Sequence, residues 1–341
     1  MKFPVETKKA IQNYNAKPSL SALAERTESI IDLVVPQSCI GLRLDLVLAQ
    51  LLPQWSRSRL QSWILEKRVS VDGEVATPKQ KIWGNEKISV SPHIVPVNEA
   101  HAAEAISLEI IYEDNHLLVI NKPVGMVVHP GNGNWQGTLL NALLHYSKQL
   151  NEIPRAGIVH RLDKDTSGLL VVAKTIEAQT SLVRQLQQHT VKRHYLAIVL
   201  GEIKQSGHID APIGRHPVQR TKMAVTIHGK PARTYYQILE QFEGCTLLRC
   251  SLKTGRTHQI RVHMHSIGHP LVGDPVYTGK PKKIPAEIAR LIMQFPRQAL
   301  HAQQLVLAHP QHGETMIWDS VLPEDISALL QELRQYHMPS S

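Results

Sequence analysis

Cysteine and long apolar runs are scarce in this chain of 341 residues. Its three cysteines, Cys39, Cys245 and Cys250, cannot all pair and form no CxxC motif. We therefore expect neither a disulfide framework nor a thiolate zinc site, and a reducing compartment fits best. The apolar runs, such as 168–173, are far shorter than the about 20 residues of a membrane helix. Residues 1–17 lack the apolar core of a signal peptide, so we expect a cytoplasmic protein that does not bind membranes.

Motifs for cofactors and metals are missing as well. The glycine-rich stretch 131–137 has the wrong spacing for a dinucleotide-binding loop and follows His129-Pro130 rather than a strand. Four histidines lie near one another, but their spacings fit neither a helical HExxH motif nor a zinc finger. They are His258, His263, His265 and His269. We therefore expect no cofactor and no metal.

Positive charge exceeds negative charge along the chain. The sequence has 38 Lys and Arg against 29 Asp and Glu, a formal net charge of +9, with an isoelectric point of about 9.4. This balance points to a polyanionic partner. The length is sufficient for two domains with a substantial core.

Hydrophobic periodicity divides the chain into four segments. We expect an N-terminal arm over 1–37, a compact module over 38–98, a linker over 99–106 and a larger domain over 107–334. Many strands and few long helices in the larger domain indicate an α+β fold with a mixed, largely antiparallel central sheet flanked by helices. Residues 259–263 are expected to form one of these strands.

The module over 38–98 has the pattern of two helices followed by a hairpin. Its first helix is indicated by Leu42, Leu46, Ala49 and Leu52, which recur at helical spacing. Ser56 then predicts the N-cap of a second helix. The pair Asp72-Gly73, which follows an alternating segment, predicts a tight hairpin turn.

Basic residues cluster at both ends of the second helix. Arg57 and Arg59 lie at its start, and Lys67 and Arg68 lie at its end. Cations near a helix N-terminus oppose the helix dipole, so helix stability does not explain Arg57 and Arg59. Contact with phosphate groups explains them better, and the alternative is a solvated charged face.

The segment 157–172 contains the strongest candidate for a functional site. Asp163 lies between two apolar, strand-like runs, with Arg161 two residues before it and a Thr-Ser-Gly turn three residues after it. Buried charges are costly unless they are paired, so a carboxylate flanked in this way predicts a site. The alternative is a structural aspartate at the end of a strand.

Five stretches of the larger domain resemble the RluA/RluD-type pseudouridine synthases, which isomerise uridine in RNA. They are NKPVGMVVHP (121–130), HRLDKDTSGLLVVAKT (160–175), KRHYLA (192–197), LKTGRTHQIRVH (252–263) and HPLVGDPVY (269–277). The module over 38–98 resembles an S4 RNA-binding domain through three stretches. These are Arg43-Leu44-Asp45, residues 56–59 and residues 69–73.

This resemblance implies an isomerase that needs no cofactor. Asp163 would be the catalytic carboxylate, paired with Arg261, which holds it charged and oriented. Tyr195 would stack on the target base, and Arg161 would contact RNA near a flipped uridine. Further RNA contacts are expected from Arg43, Arg57, Arg59, Lys67, Arg256 and His258.

The segment 215–233 adds a second basic region. It has five basic residues and no acidic one. The basic residues are Arg215, Arg220, Lys222, Lys230 and Arg233. We interpret it as a loop or hairpin that grips the RNA backbone, mainly through Arg220 and Lys222. A solvated loop is the alternative.

The stretches 155–160 and 220–225 are similar to the RluD branch, which modifies large-subunit ribosomal RNA. This implies 23S rRNA as the partner, with the helix 69 uridines 1911, 1915 and 1917 as targets, and we expect a monomer. Another rRNA uridine or a tRNA uridine is the alternative within the same class. A non-catalytic ribosome-assembly protein and an N-glycoside hydrolase are alternatives from other classes.

Overall fold

The computed structural model describes residues 30–55, 57–92, 101–131, 133–219, 222–279 and 284–337. The chain divides into two compact units, one within 1–51 and 57–93 and the other within 52–56 and 94–341. Residues 1–29 of the expected arm, the expected N-cap Ser56 and Arg220 lie outside the described residues.

The first unit is a small sheet with two helices. Its elements are β1 (Ile31–Val34), a 3-10 helix (Gln37–Cys39), α1 (Leu44–Leu51), α2 (Arg57–Leu65), β2 (Val69–Val71), β3 (Glu74–Val75) and β4 (Lys87–Val90). The strands form an antiparallel sheet in the order β1-β4-β2-β3. Because β1 pairs with β4 along its whole length, the arm expected over 1–37 extends too far, and its described end belongs to the sheet.

The hairpin predicted from Asp72-Gly73 is confirmed. Both residues have positive φ angles, 50° and 86°, as a type I′ turn requires. They connect β2 to β3, and Val71 of β2 pairs with Glu74 of β3. On β2 the side chains of Val69 and Val71 are buried, in agreement with the alternating pattern.

The buried face of α1 differs from the predicted one. The fully buried residues of this helix are Leu44, Asp45, Val47 and Leu48. The face expected from Leu42, Leu46 and Ala49 is only half-buried. Asp45 lies in the middle of the true face, and an acidic residue normally marks a solvent-exposed position. Because Asp45 interrupts the apolar residues of this face, the sequence pattern did not predict that the face is buried.

The second unit is built on a nine-stranded sheet and a separate two-stranded hairpin. Its strands are β5 (Glu109–Glu113), β6 (Leu117–Lys122), β7 (Ser167–Ala173), β8 (Lys192–Leu200), β9 (Gly207–Asp210), β10 (Ile213–Arg215), β11 (Met223–Val225), β12 (Arg233–Phe242), β13 (Cys245–Leu252), β14 (Leu300–Ala308) and β15 (Thr315–Asp319). Its helices are α3 (Leu139–Tyr146), α4 (Ile176–Gln187), α5 (Gln259–Ser266), α6 (Ala286–Gln294) and α7 (Glu324–His337), with 3-10 helices over Lys148–Glu152 and Pro154–Gly157.

The large sheet has the order β5-β6-β7-β14-β8-β13-β12-β9, with β15 paired to β14. Among the described strands, β7 and β14 form the one parallel pair, and the other pairs are antiparallel. Strands β10 and β11 form the separate hairpin. The predicted α+β class with a mixed, largely antiparallel sheet is therefore confirmed.

Apolar clusters attach the helices to this sheet. Ile288 of α6 and Leu330 of α7 belong to one cluster with Ile198 of β8. Leu182 of α4 belongs to another cluster with Val171 of β7. Removal of this apolar surface from water is the main force that holds the helices against the sheet. The loops between the strands, including the one that carries Asp163, are therefore held on a rigid scaffold.

The strand expected over 259–263 is wrong, because this segment begins helix α5. The alternation of Ile260 and Val262 with polar residues suggested one solvated face. In the structure the polar residues Gln259, Arg261 and His263 are buried too, and each forms hydrogen bonds. Alternation in a fully buried segment cannot distinguish a strand from a helix.

Within the described parts of the chain, the helices are all too short or too polar to cross a lipid bilayer.

Candidate active site

An open cleft of about 1140 Å³ lies in the second unit. Asp163 lines it, and so do five other residues for which the sequence predicted a role. These are Arg161, Tyr195, Arg256, His258 and Arg261. Asp163 lies in a loop over 158–166, which we call the Asp163 loop, between the 3-10 helix Pro154–Gly157 and strand β7. The structure therefore brings the predicted catalytic residues to one place.

Hydrogen bonds and close backbone contact fix the C-terminal end of the Asp163 loop. The N–H of Thr166 donates to the carbonyl of Asp163 at 3.1 Å. Gln298 donates through Nε2 to the Thr166 hydroxyl at 3.2 Å. Gly168 then has a φ of 113°, and a Cβ there would lie 2.3 Å from the carbonyl oxygen of Ala302. Only glycine allows β14 to approach β7 this closely.

A buried lysine binds the backbone of the Asp163 loop. The ammonium of Lys122 donates to the carbonyls of Pro123 (2.7 Å), Met126 (3.0 Å) and Lys164 (3.0 Å). Burial lowers the pKa of Lys122 to about 7, and the charges of Asp165 and Asp163 oppose this shift. Three carbonyl acceptors match the three N–H groups of the charged form. Lys122 thus joins the loop after β6 to the Asp163 loop.

Arg261 forms ion pairs with two carboxylates. Its Nη1 donates to Asp163 Oδ2 at 3.1 Å, while Nε and Nη2 bind Asp274 at 2.7 and 2.9 Å. Burial disfavours the charged guanidinium, but the hydrogen bonds and charges of Asp274 and Asp163 raise the Arg261 pKa overall. Asp274 is fully buried, whereas the side chain of Asp163 is 15% exposed. The bidentate pair with Asp274 therefore orients Arg261, which leaves one nitrogen for Asp163.

His258 faces Asp163 from the other side. Its Nε2 lies 3.9 Å from Asp163 Oδ1, and its Nδ1 lies 3.0 Å from the Tyr277 hydroxyl. That hydroxyl accepts the N–H of Met223, so its own hydrogen is available for His258 Nδ1. Burial lowers the pKa of His258, although the charge of Asp163 opposes this shift. The neutral ring is therefore favoured. The hydrogen of the ring then lies on Nε2 and faces Asp163.

Tyr195 lies on β8 and is almost fully buried at the edge of the cleft. Burial raises the pKa of Tyr195, partly opposed by the charge of Arg193. The phenol is therefore neutral at physiological pH. Its ring is positioned as a rigid apolar surface inside the cleft, which suits stacking against a planar group.

The remaining predicted cations of this unit lie at the cleft and beyond it. Arg161 is exposed at the cleft, and Arg256 lines it while its Nε donates to the carbonyl of Pro231. Lys222 lies between β10 and β11, where its N–H donates to the carbonyl of Gln219, and it does not line the cleft. The basic segment thus contains a hairpin, one of the two forms expected for it.

In the first unit, two predicted RNA-binding arginines bind a buried carboxylate. Asp45 accepts hydrogen bonds from Arg43 (3.1 and 3.2 Å), Arg57 (3.0 and 2.6 Å) and Gln61 (2.5 Å). Burial raises the pKa of Asp45, but the hydrogen bonds from Arg57 and Gln61 and the nearby charges lower it overall. Both arginines remain partly exposed. Arg57 therefore has a structural reason to lie at the start of α2, which the helix-dipole argument missed. Lys67 ends α2 with a φ of 60° and is exposed.

Two of the four histidines weighed as zinc ligands form hydrogen bonds to distant segments of the chain. His263 binds Thr234 Oγ1 and the carbonyl of Ala211, both at 2.9 Å. His269 binds the carbonyl of Leu200 at 2.8 Å. Within the described ranges, no group of three His, Cys, Asp or Glu side chains is arranged to hold a metal ion.

Sequence reasoning gave no role to Asp274, Tyr277 or Lys122, although all three lie in the recognised stretches. A signal was available for Asp274, since an arginine predicted to pair with Asp163 has more N–H groups than one carboxylate can accept. The spacing between Arg261 and Asp274 gave no indication that their side chains meet.

Comparison with known proteins shows the family of this chain. A family model described as RNA pseudouridylate synthase matches residues 116–266, and an S4 domain model matches 42–88. The chain is 62% identical over 324 residues to ribosomal large subunit pseudouridine synthase D from Nitrosomonas europaea, covering 95% of this chain and 94% of that protein. It is 49% identical over 317 residues to the protein of that name from Escherichia coli, covering 92% and 96%. A solved structure, human RNA pseudouridylate synthase domain containing 4, aligns with a TM-score of 0.54 at 27% identity, over 66% of this chain and 93% of that one.

The family model and the high identity to relatives over most of the chain define its class. The chain belongs to the RluA/RluD-type family of RNA pseudouridine synthases and carries an S4 domain. It is an isomerase that converts uridine to pseudouridine.

Proposed function

We propose that this enzyme modifies 23S rRNA of the large ribosomal subunit, at the helix 69 uridines. The observation that carries the proposal is the high identity, along nearly the whole chain, to proteins named ribosomal large subunit pseudouridine synthase D. The S4 domain and the net charge of +9 support an RNA partner.

In this proposal Asp163 starts the reaction. The N1–C1′ bond of uridine breaks, the base turns, and a C5–C1′ bond forms while the C5 proton leaves and N1 gains a proton. Asp163 either attacks C1′ or removes the C2′ proton, and both uses need its ionised form. Arg261, 3.1 Å away, stabilises that form and fixes the direction of the carboxylate.

Tyr195 and the cleft cations would hold the displaced base and its strand. The target uridine must leave its stack to reach Asp163. The buried ring of Tyr195 provides a surface on which the base can stack, and Arg161 and Arg256 at the cleft would contact the flanking backbone. His258 would direct its Nε2 hydrogen toward Asp163 and limit the motion of that carboxylate.

The test is to map pseudouridines in RNA from cells that lack the gene and carry either the wild-type chain or Asp163→Asn. The helix 69 uridines should be modified only with the wild type. Modification that returns only at a tRNA or another rRNA uridine would overturn the substrate assignment. Rescue by Asp163→Asn would overturn the catalytic role of Asp163. A purified enzyme that released free uracil would be a hydrolase.

A further inference from the structure

Arg193 is a buried cation inside the active-site cleft to which the reaction above gives no role. It lies on β8, two residues before Tyr195, so both side chains point to the same face of the strand. The residue is only 8% exposed and lines the cleft together with Asp163. Its position is therefore that of a substrate-binding residue rather than of a surface charge.

The guanidinium of Arg193 lacks the anion that a buried arginine needs. Its Nε is buried without a hydrogen-bond acceptor, and no carboxylate in the described residues pairs with it. The other two buried arginines of this unit, Arg261 and Arg297, each pair with aspartates. A buried charge without a partner is costly. An anion that arrives with the substrate would offset this cost.

The surrounding structure fixes Arg193 in place. A Cβ at Gly255 would lie 2.7 Å from Arg193 Nη1, so the guanidinium packs directly against the backbone of this glycine. The guanidinium can occupy this position only because residue 255 is a glycine. Movement of the guanidinium toward Gly255 is blocked, and the cleft is the open direction.

His160 contributes a second hydrogen-bond donor without an acceptor. Its Nε2 accepts the N–H of Val171 at 3.2 Å, and burial together with the charge of Arg193 lowers its pKa to about 3. The ring is therefore neutral, with its hydrogen on Nδ1. That Nδ1 is buried and has no acceptor among the described residues. Both residues line the same cleft, and each has a donor without an acceptor among the described residues, so a ligand group with acceptor oxygens would suit them.

We propose that Arg193, assisted by His160, binds a phosphate of the RNA backbone next to the target uridine. A phosphate carries the negative charge that Arg193 lacks and has only acceptor oxygens, as the two donors require. The uracil ring does not fit as well, because it is neutral and presents an N–H donor of its own. This inference rests on the proposed action on RNA and names how the strand is held at the site.

The experiment combines Arg193→Met with RNA in which single phosphates around the target uridine are replaced by neutral methylphosphonates. The matched control is Arg249→Met, which removes an exposed arginine from the neighbouring strand β13, outside the cleft. Arg193→Met should weaken RNA binding by roughly tenfold to a hundredfold, the range for a hydrogen bond to a charged group. The slope of log K against log salt should fall by about 0.7. Arg249→Met should leave both near wild type.

The decisive result is the coupling between variant and RNA. A methylphosphonate at one position should weaken RNA binding by the wild type and by Arg249→Met. The same replacement should leave the RNA affinity of Arg193→Met almost unchanged. Additive losses at every flanking phosphate would overturn the proposal. If Arg193→Met does not fold, as judged by circular dichroism, Arg193→Lys replaces it, and this variant should lose part of the coupling. Absence of any coupling in Arg193→Lys would equally count against the proposal.

The binding cycle uses an RNA in which the wild type forms pseudouridine, whichever uridine that is. Failure of the helix 69 assignment would appear as modification elsewhere and leaves the cycle valid. Failure of the Arg193 proposal would appear as absent coupling on an RNA that the enzyme does modify.

Discussion

Arg261 connects two carboxylates that differ in exposure and in their effect on the site. Asp274 is fully buried and also accepts the backbone N–H groups of Val276 and Tyr277 at 2.9 Å. It cannot turn without breaking those bonds. Its position therefore determines the direction in which Arg261 reaches Asp163, so a residue outside the candidate catalytic pair sets the geometry of that pair.

Asp274→Asn should reduce the single-turnover rate by roughly tenfold to a hundredfold while RNA binding stays near wild type. The amide keeps the shape but weakens the hold on Arg261, and effects of this size follow from small misplacement of catalytic groups. Asp210→Asn, in the exposed pair with Arg233, is the control and should change neither the rate nor the binding. An unchanged single-turnover rate in Asp274→Asn would contradict this coupling.

His301 makes stability depend on pH. It is buried on β14, with Ser167 Oγ 2.9 Å from Nδ1 and Ser320 Oγ 2.8 Å from Nε2, and burial lowers its pKa to about 4. An unfolded histidine titrates near 6.5. Between pH 6.5 and about 4 the unfolded chain therefore binds the extra proton, so the free energy of unfolding falls as pH falls.

The free energy of unfolding should drop by about 2 kcal/mol between pH 7 and pH 5 because of His301 alone, since the full 1.36 kcal/mol per pH unit applies only well below the unfolded pKa. Urea unfolding at pH 7 and pH 5 measures the total drop. His301→Asn should make that drop smaller by about this amount, whatever its stability at pH 7. His145→Asn, at an exposed position on α3, should leave the drop unchanged. Equal drops in the wild type and His301→Asn would rule out this histidine as the source.

Helix α7 is attached to the Asp163 loop through one buried side chain. Arg297 binds Asp325, in the first turn of α7, at 2.6 and 2.9 Å, and its Nη1 donates to the carbonyl of Asp165 at 3.1 Å. The same nitrogen reaches the carbonyls of Gln298 and Leu300. The C-terminal helix thus supports the site although none of its residues lines the cleft.

Arg297→Met should destabilise the protein by about 3 kcal/mol, since it leaves Asp325 without its partner and three carbonyls without a donor. It should also slow the reaction, because the Asp163 loop loses a support. Arg334→Met removes another arginine–carboxylate pair of α7, the exposed pair with Glu240, and should cost less than about 1 kcal/mol without affecting the rate. Chemical unfolding and single-turnover assays test both variants. Equal effects of the two would refute a special role for Arg297.

The elements with one buried face could be predicted from sequence, and the buried polar residues could not. The hairpin at Asp72-Gly73 and the strands of the large sheet follow from turn chemistry and periodicity. Helix α5 and the face of α1 were missed because Arg261 and Asp45 are charged yet buried, which sequence patterns treat as exposed. The recognised stretches supplied Asp163, Tyr195 and Arg261. They could not supply pairings such as Arg261 with Asp274, which depend on how distant segments pack.

At the scale of the whole molecule, the chain combines a site in one unit with a basic S4 domain in the other. The prediction of RNA contacts by Arg43 and Arg57 is now complicated by Asp45, since replacing either would disturb the fold of the first unit. Lys67, exposed at the end of α2, is the cleaner test of contact. The net charge of +9 implies that binding weakens steeply with salt.

A chain that starts at residue 101 should fold and retain slow isomerase activity, but bind RNA more weakly than the full chain. The reason is that the candidate chemistry lies after this point, while the S4 domain adds phosphate contacts. In the full chain, Lys67→Ala should lower the salt slope by about 0.7 to 0.9, the value for one phosphate contact. Binding of a large rRNA fragment across a salt series measures both. Unchanged affinity and slope in the shortened chain would mean that the first unit does not dock RNA.

The parallel pairing of β7 with β14 also has a consequence for how the protein is made. It joins His301 to Ser167 and Ala302 to Gly168, residues separated by more than a hundred positions. Contacts between such distant parts of a chain form late and slow the folding rate. During synthesis, Asp163 leaves the ribosome long before the strand that braces its loop. The loop that carries the candidate carboxylate therefore gains its final support only after β14 has been made, and a nascent chain that ends before β14 holds Asp163 without that framework.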